Sequence, residues 1–293
     1  MLLLTGATGL VGSTLLPRLL AEGTEVRCLV RDPRRLGAQR VRVQIALGDL
    51  TDPPSFRNAL RGVETVVHLA ASIRDQPRGS IEELNGIATW RMVEAAERQG
   101  VERFVFFSTL GASTHHRTRC LRAKALAEQA VRAAHVHSIV FAPSIVYAPG
   151  DPWLTLLERL ALAPVMPVSG RGHVLFQPIW AEDVAGCVVA ALCASEPAPH
   201  VRYELAGPET LSHTDIVRTV LASLGRRRPL VHVPTPIVSR ALRVLERLAG
   251  PSAFATWDEA ELMEVAMTST RGAADVEALG VKPQRMAAVL GSG

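Results

Sequence analysis

The chain has 293 residues, of which 48% are hydrophobic and 20% are charged, so it can bury a large core and is not a disordered protein. Its formal net charge is +4, but only 4% of the residues are aromatic and the sequence contains no nucleic-acid-binding motif. This composition argues against a nucleic-acid partner and leaves room for a local anionic ligand.

The cysteines and the apolar stretches indicate the compartment. Cys28, Cys120, Cys187 and Cys193 have no metal-ligand spacing, which predicts reduced thiols and no metal site. The longest apolar stretch, residues 184–194, is shorter than the ~20 residues that a membrane helix needs, and it predicts a buried helix. Because the chain enters its first predicted strand at once, we expect no secretory signal and a cytoplasmic protein.

The first twenty residues predict a strand, a tight turn and a helix. An apolar run at residues 2–4 precedes Gly6, Gly9 and Gly12, and leucines with helical spacing follow. Gly6 would permit a sharp turn, Gly9 would let backbone N–H groups approach a pyrophosphate, and Gly12 would let the helix pack closely on the strand. The start of the helix would then present its N–H groups and positive dipole end to the anion.

The end of the second predicted strand, residues 24–30, bears on the type of dinucleotide. The NAD-type pattern places an acidic residue at this strand end, but Val30 occupies that position and Arg31 follows it. Because a guanidinium suits a 2′-phosphate, the sequence favours NADP(H) over NAD(H), with Arg31 as the clamp and Arg34 or Arg35 assisting. A solvated charged loop is the alternative.

Strands and helices continue to alternate, which predicts an α/β protein with a Rossmann-type, doubly wound parallel sheet. The further elements are strands at residues 41–46, 65–69 and 103–107 and a helix at residues 85–99. Asp49 follows the third strand and could face an adenine amino group or cap the helix that starts near residues 53–54. Ligands bind such sheets at the carboxyl ends of the strands.

Chemically informative residues follow the fifth strand. Ser108 ends that strand, and Cys120 and Lys124 lie at positions i and i+4 of the next predicted helix, on one face. Together with residues 5–12 and 85–89, these three residues form a pattern that resembles the short-chain dehydrogenase/reductase superfamily. That superfamily has Thr-Gly-x-x-Gly-x-x-Gly, Asn-x-x-Gly-Thr, a strand-end Ser and Tyr-x-x-x-Lys, so Cys120 replaces the tyrosine.

The resemblance extends further and points to the extended or atypical branch, which is NAD-dependent epimerase/dehydratase-like. Residues 141–151 are similar to that branch's Arg-Pro-Ser-x-Val-Tyr-Gly-Pro-Gly-Asp, and residues 177–185 and 203–209 also fit it. The predicted cofactor-binding residues are Thr5, Gly6, Gly9, Leu10, Val11, Gly12, Arg31, Asp49, Leu50, Ala70, Ala71, Ser108, Lys124 and Pro143.

The resemblance implies catalytic positions for Ser108, Cys120 and Lys124. In the superfamily, the serine orients a carbonyl, the tyrosine transfers a proton, and the lysine holds the nicotinamide ribose and lowers the pKa of the tyrosine. A thiol with an ordinary pKa of about 8.5 could donate a proton, and a nearby ammonium would lower that pKa, but its side chain is shorter than a phenol. His115 and His116 could supply a replacement acid or lie exposed to solvent.

The resemblance also suggests a division of the chain. Residues 1–150 would form the dinucleotide-binding domain, with residues 173–206 returning to the sheet. Residues 151–172 and 207–293 would form a smaller substrate-side lobe. Within this lobe, residues 212–215 resemble a capping box that starts a helix, and a later amphipathic helix is predicted over residues 237–249.

Two functions remain open. In the first, the protein is an NADP(H)-dependent oxidoreductase for a small organic carbonyl or quinone, with a proton donor other than tyrosine. In the second, it is a non-catalytic NAD(P)H-binding redox sensor or an accessory subunit of a larger complex, with a protein partner at the C-terminal lobe. The missing tyrosine favours the second function, whereas Ser108 and Lys124 favour the first.

Overall fold

Seven parallel strands form the central sheet of the protein in the computed structural model, which describes residues 1–194, 200–249 and 256–291. The strands of this sheet are β1 (Leu2–Thr5), β2 (Val26–Val30), β3 (Gln44–Leu47), β4 (Thr65–His68), β5 (Arg103–Phe107), β6 (His137–Pro143) and β11 (His200–Leu205). Their order is β11-β6-β5-β4-β1-β2-β3, so the chain winds outward in both directions from the β1/β4 pair. This is the predicted Rossmann-type, doubly wound arrangement.

Three two-stranded sheets lie outside the central sheet. They pair β7 (Val146–Tyr147) with β10 (Ile179–Trp180), β8 (Met166–Ser169) with β13 (Leu230–Val233), and β9 (Leu175–Phe176) with β12 (Leu211–Ser212). The helices are α1 (Leu10–Ala21), α2 (Pro53–Phe56), α3 (Ala88–Arg98), α4 (Arg119–Ala133), α5 (Pro152–Leu160), α6 (Ala181–Cys193), α7 (His213–Ser223), α8 (Thr235–Ala249), α9 (Trp257–Leu262), α10 (Ala274–Ala278) and α11 (Met286–Gly291). Among the described residues, no helix combines the length and apolar character needed to cross a membrane.

The central sheet is buried on both faces. Leu2 and Leu4 of β1 belong to the apolar cluster that includes Leu15 of α1 and Val184 of α6. Leu3 points the other way, into a second cluster to which α3 and α4 contribute. Because parallel sheets are covered on both faces, their strands are continuous apolar runs, as the sequence of β1 shows.

Several element boundaries differ from the prediction by a few residues, and two of the differences have a clear local cause. The third strand was expected at residues 41–46, but Pro33–Val41 forms a 3₁₀ helix that the Asp32 side chain caps, so β3 starts only at Gln44. The helix expected at residues 85–99 starts as an α-helix only at Ala88, because a π-helical turn, Glu83–Ile87, precedes it. Local caps and hydrogen bonds that periodicity does not report set both boundaries.

The remaining apolar cluster joins buried side chains of α5, α7, α9 and α11 to Ile81, to Leu110 and to Cys120 and Leu121 of α4. The capping box predicted at the start of α7 is confirmed, since Ser212 and Asp215 bond each other's backbone N–H groups. The amphipathic helix predicted over residues 237–249 is present as α8, but its side chains at 241 and 244–249 lie outside the described residues. We propose that residues 151–172 and 207–293 form the smaller lobe, and this cluster packs it against the rest of the chain.

A buried polar relay joins β1, β4 and the helical segment before α3. Thr89 Oγ1 donates to the Asn85 carbonyl (2.8 Å) and lies 3.1 Å from His68 Nε2, while His68 Nδ1 lies 2.9 Å from Thr5 Oγ1. Because the Thr89 proton is already used, Nε2–H of His68 donates to Thr89, and Nδ1 accepts from Thr5. The Thr5 oxygen in turn accepts from the Ala70 N–H (3.4 Å). His68 is therefore a neutral structural histidine.

The relay predicts a pH-dependent stability. Burial, with a contribution from the charge of Lys124, lowers the pKa of His68 to about 3. The unfolded state then binds one more proton than the folded state between about pH 6.5 and the folded pKa, so stability is lost as pH falls through this window. The expected slope for this single group is about 1.4 kcal/mol per pH unit.

His68→Gln keeps one acceptor and one donor but does not titrate. We expect this variant to show a smaller acid-dependent loss of unfolding free energy than the wild type in urea titrations at several pH values. The exposed His115 provides the matched control, since His115→Gln should leave the wild-type slope unchanged. Equal slopes for His68→Gln and the wild type would contradict a neutral, buried His68.

Candidate functional site

The turn between β1 and α1 is formed by close backbone contacts. Gly6 has φ = +72°, and its carbonyl accepts from the Gly9 N–H (2.9 Å). A Cβ at Gly6 would lie 2.6 Å from the Ala70 nitrogen, and a Cβ at Gly12 would lie 2.1 Å from the Gly6 carbonyl oxygen. The packing of the protein itself therefore requires glycine at both positions.

Gly9 differs from the other two glycines of the motif. A Cβ at Gly9 would have a single neighbour within 4 Å, the Gly6 carbonyl oxygen at 3.3 Å, so the protein leaves the space there open. Gly9 is also the N-cap of α1 and has no side chain to bond the first N–H groups of the helix, those of Leu10, Val11 and Gly12. These donors and the open space form a cradle suited to an anion.

Of the three arginines that follow β2, one is in an ion pair within the described part of the chain and two are not. Asp32 caps the 3₁₀ helix by accepting from the Arg34 N–H (3.0 Å), and its carboxylate also pairs with Arg34 Nε (2.9 Å). This pairing holds the Arg34 guanidinium against Asp32. Arg31 follows the carboxyl end of β2, the strand beside β1, and Arg35 lies in the 3₁₀ helix; both are exposed, and neither is in an ion pair found among the described residues.

Asp49 does not cap α2, so that alternative is wrong. The N-cap of α2 is Asp52, whereas Asp49 Oδ1 accepts from both the N–H (3.1 Å) and the hydroxyl (3.0 Å) of Thr51 and closes a short turn. Burial raises the pKa of Asp49, but the bonds from Thr51 and the charges of Arg31 and Arg78 outweigh it and lower the pKa overall. Oδ2 accepts no hydrogen bond from the described residues, but it lies 3.6 Å from Arg78 Nη1 in an ion pair.

The loop after β4 is fixed by one buried amide. Asn85 Nδ2 donates to the carbonyls of Ser72 (2.6 Å) and Ile81 (2.8 Å), and Asn85 Oδ1 accepts from the Ser72 N–H (3.2 Å). These bonds hold Ala70 and Ala71, which are half-buried or exposed, beside the glycine turn. Asn85 was part of the sequence motif, but its role in positioning this loop was visible only in the structure.

Two other predicted contact residues lie at strand ends. Leu50 follows Asp49 and packs against the apolar cluster under α3 and α4. Pro143 is the last residue of β6, and its carbonyl accepts from the Leu110 N–H (2.9 Å), which ties the end of β6 to the segment after β5. Both residues lie at the carboxyl edge of the sheet, the edge at which such folds bind ligands.

Ser108 is buried at the carboxyl end of β5. Its backbone N–H donates to the Phe141 carbonyl (2.8 Å), which continues the pairing of β5 with β6. The hydroxyl oxygen is buried and has no hydrogen-bond partner within the described part of the chain. Because buried hydroxyls are ordinarily hydrogen-bonded, this atom is suited to a ligand group.

Lys124 is bonded to the backbone of the residue that precedes Ser108. Its ammonium donates to the carbonyl of Phe107 (2.6 Å) and lies 5.0 Å from the centre of the Phe106 ring. Burial lowers the pKa of Lys124 to about 8, and the neighbouring Cys120 opposes this shift. The Phe107 bond uses one of the three ammonium protons, so the group retains donors for a ligand.

Cys120 is buried one helical turn before Lys124. Burial raises the pKa of its thiol; Lys124 opposes this shift, and the carboxylates Asp258 and Glu82 add to it. Lys124 lowers the thiol pKa as expected, but desolvation exceeds this charge interaction, so the pKa of the thiol is raised overall. Cys120 is a protonated thiol at neutral pH.

A network of ion pairs encloses the Cys120 side of the site. Arg119 bonds Glu82 through Nε (2.8 Å) and Nη2 (2.7 Å), bonds Asp75 (3.0 Å), and lies 3.7 Å from Asp258 of α9. Bonding to Arg119 lowers the pKa of Glu82 to about 2. The network thus joins α4, the loop after β4 and the C-terminal part of the chain around Cys120.

The two histidines before α4 differ. His115 is exposed to solvent, whereas His116 Nδ1 accepts from the Thr118 N–H (3.0 Å). Burial, followed by the charges of Arg117 and Arg122, lowers the pKa of His116. The Nδ1 atom of His116 therefore already accepts a hydrogen bond from its own loop.

The chain is similar to proteins of known class. Residues 6–150 match a family model described as NAD(P)H-binding. Ceramide reductase of Caulobacter vibrioides is 28% identical over 271 residues, which cover 90% of this chain and 84% of that protein. The mitochondrial NADH dehydrogenase [ubiquinone] 1 alpha subcomplex subunit 9 of Arabidopsis thaliana is 29% identical over 243 residues, which cover 79% of this chain and 60% of the subunit.

Solved structures show the same fold. A nucleoside-diphosphate-sugar epimerase from Staphylococcus aureus superposes with a TM-score of 0.78 at 17% identity, covering 99% of both chains. A UDP-glucose 4-epimerase from Thermus thermophilus, in complex with NAD, has a TM-score of 0.73 at 19% identity and covers 99% of this chain and 96% of that one. The chain therefore has the Rossmann-type fold of these epimerase structures, and its residues 6–150 match the NAD(P)H-binding family.

Proposed function

We propose that the chain is an NADP(H)-dependent oxidoreductase that acts on a small organic carbonyl or quinone. The buried, unpartnered hydroxyl of Ser108 supports this proposal most directly, because it lies one residue beyond the carbonyl that holds the Lys124 ammonium. A hydroxyl and an ammonium in a dry site are suited to orient a carbonyl and to stabilise the negative charge that develops on its oxygen.

The proposed cofactor contacts follow the strand ends. The N–H groups of residues 10–12 would hold the pyrophosphate over Gly9, and Asp49 Oδ2 would accept from the adenine amino group. Arg31 would bind the 2′-phosphate, since Val30 offers no carboxylate to a ribose 2′-hydroxyl. This arrangement favours NADP(H) over NAD(H).

Three side chains of this chain would each take a separate part in the reaction. Bound NADPH would supply a hydride from C4 of its nicotinamide to the substrate carbonyl carbon. Ser108 Oγ would donate to the substrate oxygen, and the Cys120 thiol would transfer its proton to that oxygen, leaving a thiolate beside the Lys124 ammonium. Water would then reprotonate Sγ. Lys124 would also hold the nicotinamide ribose, which its remaining protons permit.

A non-catalytic role is the second candidate. The raised pKa of the Cys120 thiol makes it a weak acid, which favours binding without turnover. One relative is a subunit of NADH dehydrogenase, and in this second role the chain would be a redox sensor or an accessory subunit that contacts its partner through the C-terminal lobe. For either function we propose a cytoplasmic location, because the four cysteines are unpaired.

The glycine cradle can be tested by paired variants. Gly9→Ala places a Cβ 3.3 Å from one carbonyl oxygen in otherwise open space, so we expect near wild-type stability and a loss of NADPH affinity of tenfold or more. Gly12→Ala places its Cβ 2.1 Å from the Gly6 oxygen and should lower the unfolding free energy strongly. Fluorescence titration with NADPH and urea unfolding measure the two effects, and unchanged NADPH affinity in Gly9→Ala would argue against the cradle.

The cofactor preference depends on Arg31. Arg31→Ala should weaken NADPH binding roughly ten- to a hundredfold, the loss expected for one charge-assisted bond, and leave NADH binding unchanged. Arg34→Ala is the matched control, because the Arg34 guanidinium already pairs with Asp32, and it should change neither affinity much. Equal or tighter binding of NADH by the wild type would overturn the assignment.

Cys120 separates the two candidate functions. As an oxidoreductase, the wild type should oxidise NADPH with some carbonyl or quinone, and Cys120→Ala should lower turnover roughly a hundredfold or more while NADPH affinity is retained. As an accessory protein, both forms should bind NADPH without turnover across a broad substrate panel, and a specific protein should copurify with each. Steady-state absorbance of NADPH and affinity purification distinguish these outcomes.

A further inference from the structure

An arginine-lined cleft lies away from the cofactor site, at the end of α7. It has a volume of about 550 Å³, and we call it the arginine cleft after Arg218, Arg226, Arg227 and Arg228, which line it. Helix α7 ends beside Gly225, which has φ = +62° and turns the chain so that three successive arginines follow at once. The turn therefore concentrates cationic side chains at one place.

The charges of this cleft are largely uncompensated. Arg218 pairs with Asp215 (3.3 Å), but none of the ion pairs found in the described residues involves Arg226, Arg227 or Arg228. Arg226 Nη1 (3.0 Å) and Arg228 Nε (3.4 Å) both donate to the carbonyl of Ala161, just beyond α5. Neutral carbonyl contacts fix these two side chains without cancelling their charge.

Exposed aliphatic side chains surround the arginines. Leu162 is 64% exposed and follows the residue to which Arg226 and Arg228 bond. Val165 is exposed before β8, and Val231 is exposed on β13, opposite Pro167 of β8. Leu224 is also exposed and lies two residues before Arg226. We call Leu162, Val165, Leu224 and Val231 the aliphatic rim. Exposed aliphatic side chains that are grouped together contribute no stability while they face water, but they can contribute binding energy when a partner offers an apolar layer to bury them.

We propose that the arginine cleft and its aliphatic rim are a docking surface for an anionic phospholipid membrane. Lipid phosphates complement the three uncompensated guanidinium groups, and the rim side chains can enter the boundary between headgroups and acyl chains. A single-stranded nucleic acid would match the charge but would require aromatic stacking residues, and the cleft and rim contain none. The combination of charge and aliphatic exposure therefore favours a membrane surface.

This docking surface is separate from the proposed cofactor site and goes beyond the proposed function. Its residues belong to the C-terminal lobe and to the segment after α5, and none of them contributes to the glycine turn, the Arg31 region or the Ser108 region. Membrane binding and NADPH binding can therefore be measured independently, and loss of one need not affect the other.

Vesicle flotation tests the proposal. The full chain should float with vesicles of phosphatidylcholine and phosphatidylglycerol, but not with vesicles of phosphatidylcholine alone, and raising the salt concentration should weaken binding. Replacing Arg226, Arg227 and Arg228 together by Ala should weaken binding to the anionic vesicles about a hundredfold, given the contribution of each arginine near such a surface. Leu162→Ser with Val231→Ser should weaken it further.

Two controls keep the test decisive. Arg227→Glu, at a position that takes no part in the contacts with Ala161, should alone weaken binding roughly twentyfold, and circular dichroism should show that each variant is folded. Replacing the exposed Arg42, Arg57 and Arg61 by Ala removes the same charge elsewhere and should leave binding unchanged. Equal binding to neutral and anionic vesicles, or equal losses in the cleft and control variants, would overturn the proposal. Cleft-dependent binding of an oligonucleotide without vesicle binding would also overturn it.

Discussion

The close packing of α1 on the turn after β1 is the contact on which the rest of the structure depends. A Cβ at Gly12 would lie 2.1 Å from the Gly6 oxygen, and Gly6 is itself pressed against the backbone of Ala70. Three backbone segments therefore meet at one point without intervening side chains. This approach places the first N–H groups of α1 over the sheet edge, and the Thr5–His68–Thr89 relay extends the same junction to the segment before α3.

Burial then decides the chemistry beside that junction. The same desolvation lowers the pKa of Lys124 to about 8 and raises that of Cys120, because in each case it disfavours the charged form. Ser108 contributes a hydroxyl that the described protein groups leave unpartnered. This part of the structure thus contains a protonated thiol, an ammonium whose pKa is lowered and a hydroxyl without a partner among the described residues.

Much of this architecture could be predicted because strands buried on both faces are continuous apolar runs. The fifth strand was predicted at residues 103–107, the range that β5 occupies, and the capping box at Ser212 starts α7 as expected. The third strand was misplaced because a capped 3₁₀ helix precedes it. The ion pair of Arg34 with Asp32 and the membrane-facing arrangement we propose for Arg226–Arg228 depend on side-chain geometry that no spacing rule reports.

By itself, the sequence determined the order of strands and helices, the glycine turn and the identity of the residues at the strand ends, because these follow from apolar periodicity and from the steric freedom of glycine. Only the tertiary structure decided which glycine leaves open space, which arginine is already paired, that Asp49 closes a turn rather than capping a helix, and that burial outweighs the ammonium at Cys120. Most of these outcomes depend on local hydrogen bonds and backbone distances that apolar periodicity does not report, and the pKa of Cys120 depends on how completely the packed elements exclude water.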